Sequence, residues 1–160
     1  MPTFDEWLVD RGQAMLSFAW LVTRNQYDAQ DALQDALTGL YPRWERFASA
    51  DDAEAYLKRS ISNASVSNWR KSRKHLVPVS DPGLQQPPVP DFTTAVDEVD
   101  MVWQMCEHLT PQQRAVVVLR FREDCSFGDI ARILEIPEAT ARSHVHRALA
   151  RLRTMLEDQR

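Results

Sequence analysis

Apolar residues recur every three or four positions in three segments of the first 76 residues, a spacing that places them on one face of an α-helix. The first segment carries Phe4, Trp7, Leu8, Met15, Phe18 and Val22. The second segment has the cleaner pattern and carries Ala29, Ala32, Leu33, Ala36, Leu37, Leu40 and Trp44. The third segment, expected to begin near Asp52, carries Tyr56, Leu57, Ile61, Ala64 and Trp69. Three amphipathic helices of this kind predict a bundle around one small core.

The C-terminal part of the chain predicts four more helices. A short one covers "VDMVWQMCEHL". The next has Thr110 as its N-cap and Pro111 at its first position, which is a strong start signal. Another begins after Ser126, and the last follows Pro137 and runs to about Leu156. Because only a tight turn separates the final two, they predict a helix-turn-helix. Alternation typical of β-strands is scarce, so the predicted fold class is all-α.

Prolines mark a boundary between these two parts. Five of the nine prolines fall in residues 77–96. Proline fixes φ and lacks an amide proton, so this segment is neither a helix nor a strand interior. We interpret it as a Pro-rich linker between an N-terminal domain, residues 1–76, and a C-terminal domain, residues 97–160. The alternative is a long loop within one domain, which is uncommon in compact proteins.

Composition argues against several classes of protein. The hydrophobic fraction of 44% supports a core. No apolar run reaches the roughly 18 residues of a transmembrane helix, so no membrane insertion is expected. Asp5, Glu6 and Asp10 stand where a signal peptide would be basic and then apolar, so we expect a cytoplasmic protein. Cys106 and Cys125 are then expected to be reduced thiols. Without a phosphate-binding glycine loop or a nucleophile–base–acid set, the sequence predicts no enzyme and no cofactor.

The distribution of charge matters more than its sum. The net charge is −4, which by itself does not favour binding to a polyanion. Residues 77–110 hold 6 acidic and no basic side chains, whereas residues 56–75 and 139–156 are basic and free of acid. Salt screens charges beyond about 8–10 Å, so a local basic face can bind phosphate despite the net charge. A solvated helix face would explain one such run. Two runs, one of them on a helix-turn-helix, favour nucleic-acid binding.

The last helix has two chemically different sides. At 100° per residue, the side predicted to face the core comprises Ala141, Val145, Ala148, Leu149, Leu152 and Leu156. The opposite side presents Arg142, Ser143, His146 and Arg147. Such residues on a recognition helix meet base edges, and arginine pairs bidentately with guanine. His144 and His146 project about 200° apart, without a cysteine or acid at ligand spacing, so no metal site is predicted.

Two N-terminal helices also carry candidate binding residues. The basic one carries Asn63, Trp69, Arg70, Arg73 and Lys74. Amides and an aromatic ring among cations suit single-stranded or melted nucleic acid. Trp69 equally suits a core position, because it continues the apolar stripe. The preceding helix places Asp28, Asp31, Gln34 and Asp35 off its apolar face. This acidic ridge suits either a solvated surface or the docking of a basic partner.

Three segments together resemble a bacterial RNA polymerase sigma factor of the two-domain, extracytoplasmic-function (ECF) type. They are "DAQDALQDAL", "AYLKRSISNASVSNWRKSRK" and "LTPQQRAVVVLRFREDCSFGDIARILEIPEATARSHVHRALARLR". The resemblance covers almost the whole chain. It implies a protein that binds core RNA polymerase and directs promoter-specific transcription initiation by recognising minus-ten and minus-thirty-five elements. It also implies an anti-sigma factor as a further partner.

The resemblance assigns roles to the candidate residues. Asp31, Gln34 and Asp35 would meet core polymerase. Asn63, with the loop "FASADDAEAY", would hold a flipped minus-ten base. Trp69, Arg70, Arg73 and Lys74 would contact DNA upstream of it. Arg142, Ser143, His146 and Arg147 would enter the major groove at the minus-thirty-five element.

Two positions depart from the family pattern, and one alternative function stays open. The family commonly has a glycine where this chain has Glu135, and a β-branched residue where it has Ala141. Both differences bear on the geometry of the turn. The alternative function is a helix-turn-helix regulator that acts without being a polymerase subunit. That alternative leaves the acidic ridge and the basic N-terminal helix unexplained.

Overall fold

The structure, a computed structural model, describes the backbone of residues 1–74 and 97–158 and the side chains of residues 1–73 and 101–158. The chain divides into two compact units, Met1–Phe92 and Thr93–Arg160. The described ranges consist of helices and turns without a strand, which confirms the all-α class. Within those ranges, no helix has the length and apolar character needed to cross a membrane. The predicted linker, residues 77–96, lies outside the described residues, and the domain boundaries stay predictions.

The N-terminal unit is a three-helix bundle, as the apolar spacing predicts. Helix α1 spans Phe4–Thr23, α2 spans Gln26–Leu40 and α3 spans Ala50–Lys74, with a 3₁₀ segment at Tyr41–Arg46 between the last two. Each of the three helices packs against the other two. The largest fully buried side chains of this unit are Met15, Phe18, Val22, Leu40, Leu57 and Ile61. Burial of these side chains is the main stabilising contribution to the bundle.

Side-chain caps fix the starts of the three helices. Thr3 and Glu6 form a capping box at α1, in which each side chain accepts from the other residue's amide. Asn25 caps α2 by accepting from the amide of Asp28. The Ser49 hydroxyl accepts from the amide of Asp52, so α3 begins at Ala50 rather than near Asp52. These caps satisfy amides that have no partner within the helix.

The segment "FASADDAEAY" is therefore helical over most of its length, and treating it as a loop was wrong. Only Phe47, Ala48 and Ser49 lie outside the helices. Phe47 has extended backbone and its ring packs 5.6 Å, between centroids, from the ring of Tyr56. The Ser49 cap and the acidic first turn of α3 explain the early helix start, since both favour a helix N-terminus.

A polar cluster around Glu54 joins α1 to α3. Arg11 donates from Nε to Oε1 of Glu54 at 2.6 Å, and the indole of Trp7 donates to the same oxygen at 3.1 Å. Lys58 Nζ lies 3.9 Å from Oε2. Burial acts to raise the pKa of the Glu54 carboxyl, but the hydrogen bonds from Arg11 and Trp7 and the charges of Arg11 and Lys58 outweigh it. The pKa of Glu54 is therefore lowered, and the carboxylate is ionised at neutral pH.

Over residues 97–158 the C-terminal unit has four α-helices, as predicted. Helix α4 spans Asp97–Met105, α5 spans Pro111–Val117, α6 spans Phe127–Leu134 and α7 spans Glu138–Asp158. A 3₁₀ turn, Cys106–His108, follows α4, and a π-helical turn, Val118–Arg122, continues α5. Helix α7 packs against both α5 and α6. One buried cluster comprises Met105, Cys106, Leu109, Val117, Ala148 and Leu152, with Trp103 and Met155 against it.

The start signals of α5 and α6 are confirmed at both predicted positions. Thr110 caps α5 and pairs with Gln113 in a capping box, and Pro111 is the first helical residue. Ser126 caps α6 and pairs with Asp129 in the same way. Hydrogen bonds from the backbone and the side chain of Ser126 lower the pKa of the Asp129 carboxyl. The predicted helix-turn-helix of α6 and α7 is present.

Glu135 forms the turn between α6 and α7 in a left-handed conformation, with φ 54° and ψ 49°. Glycine adopts this region without the cost that a Cβ imposes. The glycine common at this position in the family would therefore fit the same turn. Glu135 preserves the turn geometry and accepts some backbone strain.

Replacing Glu54 with Gln should destabilise the N-terminal unit by about 1–3 kcal/mol at neutral pH, because Arg11 and Trp7 lose a charged acceptor. The lowered pKa of Glu54 means that its contribution is complete above the ordinary carboxyl value of 4.5 and is lost as the pH falls through the folded-state value. The gap between wild type and E54Q should therefore narrow in acid. Urea unfolding of the full chain, followed by tryptophan fluorescence, measures this difference in the free energy of unfolding. The fluorescence reports on this unit because it contains Trp7, Trp20, Trp44 and Trp69. A gap that stays constant with pH would contradict the role of the charge, and the exposed Glu45→Gln change is the matched control.

Replacing Glu135 with Gly should stabilise the helix-turn-helix by up to about 1 kcal/mol relative to Glu135→Ala, which keeps the Cβ and its strain. Native-state hydrogen exchange of the α6 and α7 amides in the full chain measures the difference. Equal protection in the two variants would show that the left-handed turn carries no strain.

Candidate nucleic-acid and polymerase-binding surfaces

Helix α7 presents its predicted reading residues on the surface. Ala141, Val145, Ala148 and Leu152 are buried, and they fix the rotation of the helix about its axis. The side chains of the predicted set, Arg142, Ser143, His146 and Arg147, are all exposed. The structure therefore brings the four together on one outward face near the N-terminal half of α7. Their role in reading bases stays a prediction.

Two residues assigned to the core side of α7 are exposed, so that part of the prediction was wrong. Leu149 is 38% exposed and Leu156 is 42% exposed. At 100° per residue, Leu149 lies about 70° from the centre of the buried stripe. Leu156 lies near the end of α7, beyond the buried Leu152. The buried stripe is therefore narrower than the apolar spacing suggests.

The two histidines of α7 differ in environment. His146 is exposed, whereas His144 is half-buried beside Val145. Burial, with a smaller effect from the positive charge of Arg147, lowers the pKa of His144, so its imidazole is neutral at pH 7. His144 thus adds no charge to the reading face. Among the described residues, no group of three or more histidines, cysteines or acids could hold a metal ion.

Arg142 has two partners that the sequence analysis did not identify. Its Nη2 donates to Oε1 of Glu138 at 2.6 Å, and its guanidinium carbon lies 4.7 Å from the ring centroid of Phe127. The four-residue spacing of Glu138 and Arg142 is a recognisable helix pair. Phe127 lies on α6, and no local pattern signals its contact with α7. Further along α7, Arg151 donates to the carbonyl of His108 at 3.4 Å.

Helix α3 carries the second candidate surface. Asn63 and Arg70 are exposed on the side opposite the buried Leu57 and Ile61. Trp69 is half-buried, and the guanidinium of Arg73 lies 4.6 Å from its ring centroid. Trp69 is thus partly exposed and does not belong to the fully buried core. Lys74 ends α3, and its side chain lies outside the described residues.

Lys58 does not contribute to this basic surface, although it falls in the acid-free run. It is only 7% exposed, lies near Glu54 and sits 5.8 Å from the ring centroid of Phe18. Its charge therefore lies inside the bundle near Glu54. The exposed face of α3 carries fewer basic side chains than the sequence suggests.

A ring-and-arginine cluster adjoins α3 at Tyr56. The Arg43 guanidinium donates to the Tyr56 hydroxyl and lies 5.6 Å from its ring centroid. The Arg59 guanidinium lies 5.8 Å from the same ring, and Phe47 packs beside it. Aromatic rings and guanidinium planes are surfaces on which an unstacked base can lie. Sequence reasoning named this segment but did not identify Tyr56 and Arg43 as a pair, because they come from different elements.

The acidic ridge of α2 lies on the surface as predicted. Asp28, Asp31, Gln34 and Asp35 are exposed, while Ala29, Ala32, Ala36 and Leu40 are buried. Partial burial, and then the negative charge of Asp31, raise the pKa of Asp28. The carboxylates are therefore close enough to repel one another, and a cationic partner would relieve that repulsion.

Comparisons with known proteins agree across the two units. The Sigma-70 region 2 model matches residues 8–75, and the Sigma-70, region 4 model matches residues 100–152. The RNA polymerase sigma-E factor of Streptomyces coelicolor is 37% identical over 96% of this chain and 85% of its own length. The ECF RNA polymerase sigma factor SigM of Mycobacterium tuberculosis is 31% identical over 96% of this chain and 76% of its own length.

A solved structure has the same fold. It is the sigma factor RpoE from Bartonella quintana, crystallised in complex with the anti-sigma factor NepR, with a TM-score of 0.71 and 24% identity over 98% of each chain. The two family matches cover most of both described units, and the relatives above 30% identity span almost the whole chain. The chain belongs to the extracytoplasmic-function family of RNA polymerase sigma factors.

Proposed function

We propose that this sigma factor divides promoter recognition between its two units and docks on polymerase through α2. The single observation that supports this most strongly is the exposed set Arg142, Ser143, His146 and Arg147 on a helix whose other side is buried. In this proposal, residues 1–76 bind core polymerase and the minus-ten element. Residues 97–160 bind the minus-thirty-five element, and the linker of residues 77–96 joins the two domains.

The C-terminal unit reads duplex DNA in the major groove. A groove about 12 Å wide admits one α-helix, and the N-terminal residues of a recognition helix meet the base edges. Arg142 and Arg147 supply forked donors, and Ser143 and His146 supply shorter polar contacts. Each bidentate pair with guanine contributes about 1–3 kcal/mol of discrimination.

The N-terminal unit contacts the minus-ten DNA after the strands separate. Asn63, Trp69, Arg70, Arg73 and Lys74 supply an amide, a stacking surface and cations along α3. Stacking of a base on an aromatic ring contributes about 1–3 kcal/mol, and Trp69 is accessible enough to take part. The cluster of Phe47, Tyr56 and Arg43 adjoins this helix and is a second place where a flipped base could stack.

The acidic ridge of α2 docks on core polymerase through Asp31, Gln34 and Asp35. Partial burial is the larger cause of the raised pKa of Asp28, and a basic partner surface would relieve the smaller one, repulsion from Asp31. Opposite charge also accelerates association, which suits a subunit that must compete for its enzyme. The same exposed surfaces are targets for inhibition. Since the related RpoE is bound by NepR, we also propose an anti-sigma partner here.

The chain is proposed to act in the cytoplasm, where promoter DNA lies, as a regulatory subunit and not as an enzyme. A helix-turn-helix regulator that acts without polymerase is the second candidate. It would use α6 and α7 alone. The match to Sigma-70 region 2 over residues 8–75 favours the sigma factor, since a separate regulator has no need of that unit.

Reconstitution tests this function directly. Core RNA polymerase from the organism that encodes this chain, mixed with the purified protein, should start transcripts at a defined set of genomic promoters. Arg142→Ala and Arg147→Ala should each reduce initiation at those promoters about tenfold or more while leaving core binding unchanged. Promoter-specific transcripts that are insensitive to both changes would remove α7 from the assignment.

Reversing the charges of Asp31 and Asp35 to Lys should weaken core binding at least about tenfold, because two attractive contacts become repulsive. The far-ultraviolet circular dichroism should be unchanged, since both side chains are exposed. Fluorescence anisotropy of the labelled chain titrated with core polymerase gives the affinity. The double change Asp10→Lys and Glu45→Lys alters the net charge equally at exposed sites outside the acidic ridge and should bind like wild type. Equal loss in both double variants would mean a general charge effect and not a docking site.

A further inference from the structure

Arg142 is held from two directions before any DNA is present. Glu138, one turn earlier on α7, accepts a hydrogen bond from Nη2 at 2.6 Å. Phe127, the first residue of α6, places its ring centroid 4.7 Å from the guanidinium carbon. One contact comes from the recognition helix itself and the other from the preceding helix. The guanidinium therefore contacts both helices of the helix-turn-helix and not α7 alone.

The ring of Phe127 has its own support. The guanidinium carbon of Arg120, in the π-helical turn, lies 4.4 Å from the same ring centroid. Arg120 is held in turn, because its Nη1 donates to the carbonyl of Cys125 at 3.0 Å. Ser126 and Asp129 fix the backbone where Phe127 begins α6. A ring with this much support can act as a platform for Arg142.

Holding an arginine in this way matters for reading a base. A free arginine side chain has many rotamers, and forming a bidentate pair requires one of them. Ordering the side chain in advance reduces that entropic cost and increases affinity for the matching group. Stacking on the ring face leaves the edges of the guanidinium open. The group carries five N–H donors, so donors remain after Glu138 takes one.

Glu138 also changes which part of DNA suits Arg142. An arginine next to a carboxylate carries less net charge toward phosphates, and the carboxylate itself repels them. A guanine edge accepts directional hydrogen bonds from the guanidinium, and the Glu138 carboxylate repels it less than it repels a phosphate. The pair therefore shifts Arg142 from phosphate binding, which carries no sequence information, toward base reading.

We propose that Phe127 and Glu138 are positioning residues for base reading by Arg142, and that they determine specificity at the base pair which Arg142 contacts. This rests on the proposed role of Arg142 in the minus-thirty-five element. An exposed ion pair contributes little to stability, so the consequence of removing it lies in discrimination and not in folding.

The test is a selection of promoter DNA by reconstituted holoenzyme. The probe is a library of promoter duplexes randomised across the minus-thirty-five element, and the bound fraction is sequenced. Wild type should show a guanine preference at one position that Arg142→Ala reduces about tenfold. At that same position, Phe127→Leu and Glu138→Gln should each reduce the guanine preference by about three- to tenfold. Glu138→Gln should at the same time increase retention of mismatched duplexes.

Matched variants separate positioning from a structural effect. Phe127→Tyr keeps the ring and should keep the guanine preference, whereas Phe127→Leu keeps an apolar contact and loses the platform. Glu157→Gln removes the same charge from the far end of α7 and should leave the preference unchanged. Two results would overturn the proposal. In the first, Phe127→Leu lowers affinity equally for all duplexes. In the second, Phe127→Leu loses the circular dichroism of the fold while Glu138→Gln keeps the full guanine preference.

The outcomes also distinguish this proposal from the proposed function. If Arg142→Ala leaves every position unchanged, Arg142 does not read a base, and the minus-thirty-five assignment of that residue fails along with the inference. If Arg142→Ala loses one position while Phe127→Leu and Glu138→Gln retain it fully, the assignment stands and the positioning role alone is rejected.

Discussion

Burial of alanines on the packed faces of the helices is a constraint that both units share. Ala19, Ala29, Ala32, Ala36 and Ala53 are buried in the N-terminal bundle, and Ala115, Ala141 and Ala148 are buried in the C-terminal unit. The distance between packed helices depends on the side chains at their contact, and alanine lets the backbones approach closely. A narrow stripe is then enough to hold a helix, and the rest of its surface is free for partners. This is why α2 and α7 can each carry a buried face and a full exposed face.

That division of each helix explains how an acidic protein serves as a DNA-binding subunit. The net charge of −4 is an average over surfaces with different tasks. The carboxylates of α2 face outward from one helix of the N-terminal unit, and the arginines of α7 face outward from the C-terminal unit. Because salt screens charges beyond about 8–10 Å, each surface acts through its own local charges. A sigma factor that directs promoter-specific transcription can therefore carry separate acidic and basic surfaces.

Local chemistry made much of the fold predictable. The N-caps at Thr110 and Ser126 use side chains next to the amides that they satisfy, so the sequence carries the signal directly. The outward set on α7 follows from helical geometry alone. The left-handed conformation of Glu135 does not follow from the local sequence, because a non-glycine residue adopts this region where packing outweighs its energetic cost.

The remaining features depend on contacts between distant segments. Lys58 is buried beside the ring of Phe18 from α1, and Leu149 is exposed at the margin of the buried stripe of α7. The pairing of Arg43 with Tyr56, and of Phe127 with Arg142, joins residues that share no helical repeat. For the same reason a pattern of spacing identifies the candidate surfaces, and only tertiary structure shows which side chains are already engaged in them.

The π-helical turn at Val118–Arg122 has a consequence for how this region tolerates change in length. A π turn accommodates one residue more than an α turn, so it shifts the angular phase of everything that follows it by about 100°. Arg120, whose guanidinium carbon lies 4.4 Å from the ring centroid of Phe127, belongs to this turn. Individual substitutions in the turn can preserve the phase, whereas deleting one residue would change the angular relation between α5 and the residues that follow the turn. The number of residues in the turn is thus a stricter geometric requirement than their identity.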